Sequence, residues 1–337
     1  MNAYGAKSQP GMPVRPGMTV PLPGHLHTHR DKLSELVDMG YTDIWSAESD
    51  GADAFTPLAM AAAWEPRLRL GTAIVPAYTR SPALFAQSVA SLADAAPGRF
   101  VIGIGSSSNV IVERWNGIPF EEPYKKVRDV VRFLNDALTG EKVTKEYDTF
   151  KVNGFRLGIR PEVKPQILVA ALREGMLRLA AREADGTIIN WLSPEDVTRV
   201  AEVVRTAAAG VPKEIVARIF VCPSTNTETV RAAARYAIAA YLNVPVYAEF
   251  HAWLGRGDLL RGMWDNWKAG DRKAALVAIP DEVVDAIIIH GTPEYCRDRI
   301  KTYFDNGVTT SSLAIMPFDP ELNYWDAVRS LSPSAHQ

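Results

Sequence analysis

The sequence predicts an α/β protein: a closed (β/α)8 TIM barrel with two insertions. Short β-rich runs alternate with amphipathic helical segments along the 337 residues, and this alternation implies parallel strands joined by right-handed crossovers. Eight such units fit a closed barrel of this length. The turn after the first strand reads PLPGH and lacks the GxGxxG loop typical of a doubly wound open sheet, which is the alternative.

The predicted strands are short runs rich in β-branched residues. They are Met18–Leu22, Asp43–Ala47, Leu68–Val75, Arg99–Gly105, Gln166–Ala171, Gly186–Asn190, Glu214–Cys222 and Ser311–Met316. The predicted helices are Arg30–Asp38, Thr56–Ala63, Pro82–Ala95, Tyr124–Leu138, Met176–Ala184, Pro194–Ala208, Thr227–Tyr241, Pro293–Asn306 and Asn323–Leu331. Thr56, Ser81 and Ser193 stand where helix N-caps are expected, because their side-chain oxygens can accept from free backbone N–H groups.

Two segments interrupt this rhythm. In the first, about 142–165, the Asn153–Gly154 pair indicates the turn of a two-stranded hairpin. The second, about 243–281, is expected to be mostly helical. Residues 1–16 are rich in Gly and Pro and are expected to form a flexible lead-in. No linker divides the chain, so we expect one domain over residues 1–337.

Composition narrows the class of protein. A formal net charge of −2 favours neither nucleic acid nor an acidic membrane as partner. No apolar run is long enough to span a membrane. The two cysteines, Cys222 and Cys296, are far apart and are expected to be reduced. The first residues contain no apolar stretch typical of a secretory signal. We therefore expect a soluble cytoplasmic protein.

The histidine cluster His25–Leu26–His27–Thr28–His29 follows the first strand. Two imidazoles two residues apart can bind one cation, and metal-dependent hydrolases of barrel fold use such a pair, so a hydrolase using His25 and His27 is one alternative. The remaining histidines, His251, His290 and His336, do not lie at the ends of predicted strands. We therefore expect no metal, and we assign His27 to the rim of a substrate pocket.

Two loops have the composition of a ligand site. Small residues follow the fourth strand in GIGSSSN, where a ligand could approach the backbone closely. Arg173 and Gly175 lie between a strand and a helix, where free N–H groups and a guanidinium could bind phosphate. Each loop is equally compatible with an ordinary turn.

Three segments carry a resemblance to a known family: LGTAIVPAYTRSPALFAQSVASLADAAPGRFVIGIGSSS, VERWNGIPFEEPYKKVRDVVRFLNDALTGE and LVAALREGMLRLAAREADGTIINWLSPED. In this order they resemble the bacterial luciferase-like oxidoreductases. With GTPEYCRDRIKTYFDNGV near the end, the resemblance covers nearly the whole chain. Within the family, the chain is most similar to the F420-dependent enzymes of actinobacterial type.

The resemblance implies a cofactor at the carboxyl ends of the barrel strands. It implies a strand bulge with a non-proline cis peptide behind the deazaflavin ring at Ala73–Ile74, followed by Val75. The implied contacts to the rest of the cofactor are Ser106, Ser107, Ser108, Asn109, Ala171, Leu172, Arg173, Glu174, Gly175, Asn190 and Trp191.

The chain departs from the sugar-phosphate dehydrogenase branch of that family at three places. The second strand is followed by Glu48, Ser49 and Asp50, where that branch has a catalytic histidine. Ser108 replaces an acid, and Leu172–Arg173 replaces a Gly–Gly pair in the phosphate loop. That particular dehydrogenase activity is therefore not expected.

The function expected is hydride transfer between coenzyme F420 and an unidentified small organic substrate. Glu48 or Asp50 would donate or accept the proton, because a partly desolvated carboxylate can titrate near working pH. Trp115, Trp191 and Trp253 are candidate walls of the substrate pocket. An FMN-dependent monooxygenase and a cofactor-binding barrel without activity are the alternatives on this scaffold. The resemblance also makes a homodimer possible.

Overall fold

The computed structural model of the chain describes residues 3–7 and 11–336. Its strands, numbered in chain order, are β1 Gly17–Thr19, β2 Asp43–Ser46, β3 Arg69–Thr72, β4 Val75–Pro76, β5 Phe100–Gly105, β6 Val143–Glu146, β7 Lys151–Phe155, β8 Gln166–Ala170, β9 Gly186–Asn190, β10 Glu214–Cys222, β11 Ile288–His290 and β12 Thr310–Ile315.

The helices cover the outside of the barrel and fill the second insertion. They are α1 Arg30–Asp38, α2 Phe55–Trp64, α3 Pro82–Ala95, α4 Pro123–Ala137, α5 Glu174–Glu183, α6 Asp196–Ala207, α7 Thr227–Leu242, α8 Pro245–Trp253, α9 Gly257–Lys268, α10 Arg272–Val277, α11 Asp281–Ile287, α12 Pro293–Asp305 and α13 Tyr324–Ser330. None of the helices within the described ranges is both long and apolar enough to cross a membrane.

The sheet is a closed barrel of parallel strands. Its neighbours run β10, β12, β1, β2, β3, β5, β8 and β9, and β9 pairs with β10 to close the ring. β4 continues the course of β3 and pairs with β5, and β11 extends one side of β10. The (β/α)8 prediction is confirmed, and the eight barrel strands are those expected from the sequence.

Most predicted boundaries agree with the structure to within two residues. α1, α3, β9 and β10 coincide with the predicted segments. The N-cap expected at Thr56 is wrong: Thr56 lies inside α2, and the Asp53 carboxylate accepts from the N–H groups of Phe55 and Thr56 at 2.8 and 3.0 Å. Ser193 is not the N-cap either, because α6 begins at Asp196 with Glu195 as its N-cap. The Ser193 hydroxyl nevertheless accepts from Asp196 N–H at 3.2 Å, and the Ser193 N–H donates to the Asp196 carboxylate at 2.7 Å.

The hairpin of the first insertion is present, but its turn is not at Asn153–Gly154. β6 and β7 pair antiparallel and reverse direction between them at residues 147–150. Asn153 and Gly154 lie within β7, where the register shifts opposite Thr144. Gly154 has φ +73°, which lets it form a β-bulge there. The Asn–Gly pair therefore correctly indicated a residue with positive φ. The prediction that this residue forms the hairpin turn was wrong.

Two further expectations need correction. Tyr4, within the predicted flexible lead-in, is buried, and its hydroxyl donates to the Leu331 carbonyl at 2.9 Å. His290 was not expected at a strand end, but it is the last residue of β11 and pairs with Cys222. β11 was not predicted because a strand of three residues is too short to show an alternation of polar and apolar side chains.

The interior of the barrel is filled by the inward side chains of its strands. Trp45, Val101, Leu168, Ile188 and Val216 form this inner core, separate from the layer between strands and helices. Gly71 is required there, because a Cβ at that position would lie 2.2 Å from the Trp45 indole. Below this layer, Arg69 pairs with Asp43 and Glu214. The barrel is thus closed at its amino end.

Candidate active site

At its carboxyl end the barrel is open. Inward-facing side chains one step beyond the inner core remain partly exposed, although the strands that carry them are otherwise buried. They are Thr19, Ala73, Ile74, Ala170, Asn190 and Arg218. Active sites of such barrels lie at this end, because the loops after all eight strands converge there.

The floor of this opening is apolar and formed by small residues. Gly105 ends β5, and a Cβ added there would lie 3.0 Å from Ile74 Cδ1 and 3.1 Å from the Ala170 Cβ. Ile74, Gly105 and Ala170 therefore lie side by side. The non-proline cis peptide expected at Ala73–Ile74 is present, between β3 and β4, with Val75 buried behind it. The floor can accept the flat face of a planar ring.

The loop after β5 borders this floor. Ser106, Ser107, Ser108 and Asn109 are all partly exposed, and Ser107 has φ +61°. The Ser108 hydroxyl accepts from Ile111 N–H at 3.4 Å, and Asn109 precedes a π-helical turn at Val110–Trp115. The loop therefore exposes hydroxyl, amide and backbone groups beside the floor.

The proposed phosphate loop follows β8. Ala171 is buried and Leu172 is partly buried, whereas Arg173, the N-cap of α5, and the first two residues of the helix, Glu174 and Gly175, are exposed. The Arg173 guanidinium forms an ion pair with Glu249 of α8 at 2.5 Å. Hydrogen bonding to Arg178 lowers the pKa of Glu174. Arg173 is thus at the expected place, but a phosphate would compete with Glu249 for it.

An aromatic group lies beyond β9 and β10. Trp191 has φ +55°, and its buried ring lies 4.3 Å from the ring of Phe220 and 4.5 Å from that of Tyr241. Asn190 is in contact with this group through Tyr247: its Nδ2 lies 3.5 Å from the Tyr247 hydroxyl. Trp191 is thus part of a buried aromatic cluster next to Asn190.

Arg218 was missed in the sequence reading. It lies in the middle of β10, opposite Asn190 on β9 and Ser312 on β12. Its Nε is buried without a hydrogen-bond partner, and its guanidinium lies 5.3 Å from the Phe220 ring. A signal was present: Arg218 interrupts the apolar run EIVARIFVC on the face that alternation assigns to the barrel interior.

The two candidate proton-transfer groups differ in their surroundings. Glu48 pairs with Arg80 through both carboxylate oxygens, at 2.6 and 2.7 Å, and also accepts from Ala54 N–H at 3.1 Å. Asp50 is exposed, and one of its oxygens accepts from the Ser49 hydroxyl at 2.8 Å. Glu48 is thus fully occupied in holding Arg80, whereas Asp50 is accessible.

The histidine cluster does not form a metal site. His25 and His27 are exposed and stack on each other at 5.7 Å between ring centroids. Across residues 3–7 and 11–336, no group of three or more His, Cys, Asp or Glu side chains could hold a metal ion. His336 is described for its backbone alone. The metal-dependent hydrolase is therefore not supported.

The remaining predicted pocket residues lie on the periphery. His27 is exposed, and Trp115 is 55% exposed at the end of the π-helical turn. Trp253 packs between Phe250 and Arg199, with the guanidinium 4.1 Å from its ring. These contacts attach Trp253 to α6.

Comparison with known proteins agrees with this architecture. Residues 12–310 match the family described as luciferase-like monooxygenase. A 5,10-methylenetetrahydromethanopterin reductase of Archaeoglobus fulgidus is 29% identical over 300 residues, covering 86% of this chain and 89% of the relative. A provisionally named coenzyme F420-dependent oxidoreductase of Mycobacterium tuberculosis is 24% identical over 307 residues, covering 83% and 88%.

A solved structure shows the same fold. The coenzyme F420-dependent tetrahydromethanopterin reductase of Methanopyrus kandleri superposes with a TM-score of 0.76 at 20% identity. The match covers 94% of this chain and 97% of that chain.

Proposed function

Because the chain belongs to the luciferase-like monooxygenase family, we propose that it is an F420-dependent oxidoreductase that transfers hydride between the deazaflavin and a small organic substrate. Its relatives include a reductase and an oxidoreductase whose names specify coenzyme F420. The observation that carries the proposal is the apolar floor of Ile74, Gly105 and Ala170 at an open barrel mouth.

The floor and its border fit such a cofactor. A flat tricyclic ring needs an apolar face without protruding side chains, which Gly105 and Ala170 provide. Ala73, Ile74 and Val75 would hold the ring, and Ser106 to Asn109 would offer hydrogen bonds to its polar groups. Ala171 to Gly175 would hold the phosphate, with the free N–H groups at the start of α5 adding to Arg173 once it exchanges Glu249 for the phosphate. Asn190 and Trp191 border the other side.

When bound, the deazaflavin supplies the hydride acceptor or donor. The residues of this chain would exclude water from the cofactor and position the substrate beside it. The accessible carboxylate of Asp50 is proposed to exchange the proton that accompanies hydride transfer. Glu48 is proposed to position Arg80, because both of its oxygens already accept hydrogen bonds. We also propose that the outer substrate pocket includes His27, Trp115 and Trp253. A single domain over residues 1–337 is likewise a proposal.

The experiment is a fluorescence titration of F420 and of FMN against the purified protein and two variants. Gly105→Leu places a side chain on the floor, where it would occupy the space of the ring. We expect it to weaken cofactor binding more than tenfold, which corresponds to a loss of more than about 1.4 kcal/mol of binding free energy. Gly158→Leu is the matched control, because no atom lies within 4 Å of its added Cβ.

Three results are informative. Binding of F420 that Gly105→Leu weakens and Gly158→Leu does not would support the proposal. Binding of FMN in preference to F420, with oxygen consumption by the reduced protein, would establish the monooxygenase instead. Equal cofactor binding by all three proteins would show that the floor is not the site.

A further inference from the structure

Arg218 is a cation inside the barrel mouth without a counter-charge. Among the described residues, no carboxylate forms an ion pair with it, and its Nε makes no hydrogen bond. Burial lowers the pKa of the guanidinium, and the titratable groups that act on it are the phenols of Tyr241 and Tyr247. A guanidinium nevertheless stays charged in proteins. The barrel therefore holds a positive charge that it does not neutralise.

A second arginine in the barrel interior, by contrast, is paired with carboxylates. Arg69, at the closed end, contacts Asp43 at 3.0 Å and Glu214 at 2.6 Å. Arg218 is only partly exposed and its Nε is buried without a partner, which is unfavourable for a charged group, so the contrast needs a reason. A group that is supplied from outside the chain, and that carries the missing negative charge, is such a reason.

The surroundings of Arg218 specify what that group is. Neutral hydrogen-bonding side chains flank it in the two neighbouring strands: Asn190 on β9 and Ser312 on β12, whose hydroxyl lies 3.0 Å from that of Thr19. Guanidinium, amide and hydroxyl groups together suit an oxyanion. The rings of Phe220 and Tyr247 add apolar surface for an organic body.

We propose that Arg218 binds a carboxylate or phosphate oxyanion of the substrate. The substrate class is thus an anionic organic compound, and this inference rests on the proposed oxidoreductase function for the reaction it undergoes. The phosphate of the cofactor is assigned to a different place, the start of α5 after β8. Arg218 lies on β10, separated from β8 by β9.

Three variants test this assignment. Arg218→Met keeps the length of the side chain and removes its charge, Arg218→Lys keeps the charge, and Arg272→Met is the control. Arg272 is exposed on α10 and lies over Trp267 at 3.9 Å. Thermal unfolding is measured with increasing benzoate and, separately, inorganic phosphate. F420 and its chromophore without the phosphate tail are titrated by fluorescence.

The expected result has three parts. Without ligand, Arg218→Met unfolds at the same or a higher temperature than the wild type, since no native partner is lost. At least one of the two anions stabilises the wild type and Arg272→Met, and binds Arg218→Met about tenfold to a hundredfold more weakly. Arg218→Lys is intermediate. F420 binds the wild type and Arg218→Met equally.

Other results overturn the proposal. A large loss of thermal stability in Arg218→Met would show a structural role. Equal stabilisation of all variants, or of none, would show that no oxyanion binds at Arg218. Weaker binding of F420 but not of its chromophore would assign the oxyanion to the cofactor. Failure of the wild type to bind F420 would defeat the proposed function alone, because the anion measurements do not depend on it.

Discussion

At the scale of single residues, some ionisable side chains in the barrel and its insertions have a partner of opposite charge and others do not. Glu48 and Arg80 neutralise each other beside the opening. His251 of α8 is fully buried, and burial together with the nearby Arg256 cation lowers its pKa to about 3. The second insertion therefore contains a buried imidazole whose neutral form the folded state favours.

His251 predicts a pH dependence of stability. Its folded-state pKa is below its unfolded value, so acidification through about pH 6.5 favours the unfolded chain, by about 1.4 kcal/mol per pH unit. We expect His251→Leu to lose less free energy of unfolding than the wild type between about pH 6.5 and about pH 4. Urea denaturation across that range measures the difference.

The control is His25→Leu, at an exposed loop position. It should follow the wild-type profile, since an exposed imidazole is hydrated in both states. If His251→Leu also followed it, protonation of His251 would not be coupled to unfolding.

At the scale of elements, the first insertion depends on a bulge. Gly154 adopts φ +73° inside β7, and its N–H donates to the Thr144 hydroxyl at 3.0 Å. A Cβ there would lie 3.2 Å from Lys142 Cε, a flexible side chain that can move. The free-energy cost of adding a side chain at position 154 therefore comes mainly from the positive φ and not from a steric clash.

We expect Gly154→Ala to lower the free energy of unfolding by about 1–2 kcal/mol, because L-residues are disfavoured at positive φ. Gly158→Ala, where φ is not positive and the space is open, is expected to change stability by less than about 0.5 kcal/mol. Chemical denaturation of the two variants measures this difference. Equal effects would mean that the bulge tolerates any residue.

At the scale of the whole molecule, one arginine connects distant parts of the closed end. Arg69 of β3 contacts Asp43 of β2, Gln166 of β8 and Glu214 of β10. Both carboxylates are buried, with side-chain exposures of 0% and 3%. Arg69 is the better-buried of the two cations that balance these charges, since the half-exposed Arg15 lies 3.7 Å from the other Asp43 oxygen.

We expect Arg69→Met to lower the free energy of unfolding by about 3–5 kcal/mol, since it leaves buried Glu214 without an ion pair and Asp43 with only the longer pair to Arg15. Arg329→Met removes an arginine from an exposed pair with Asp326 and should cost less than about 1 kcal/mol. Thermal and urea unfolding measure both. A loss in Arg69→Met no greater than in Arg329→Met would refute the role assigned to this network.

The sequence by itself determined the barrel, and it predicted the end of the barrel at which we propose the site. Alternating strand and helix patterns located β9 and β10 to the residue, and loop composition pointed to Ser106–Asn109 and Arg173. These features are local, because the spacing of apolar residues records which face of each element is buried.

Tertiary structure alone decided which polar groups meet. The pairs Glu48–Arg80 and Arg173–Glu249 join residues 32 and 76 positions apart, counted from their numbers, and no local pattern encodes such pairing. Likewise, the alternation along β10 places the Arg218 side chain in the barrel interior. Only the assembled barrel shows that, among the described residues, no carboxylate pairs with it. Charge balance depends on side chains contributed by several strands, so it is settled only when the ring of strands closes.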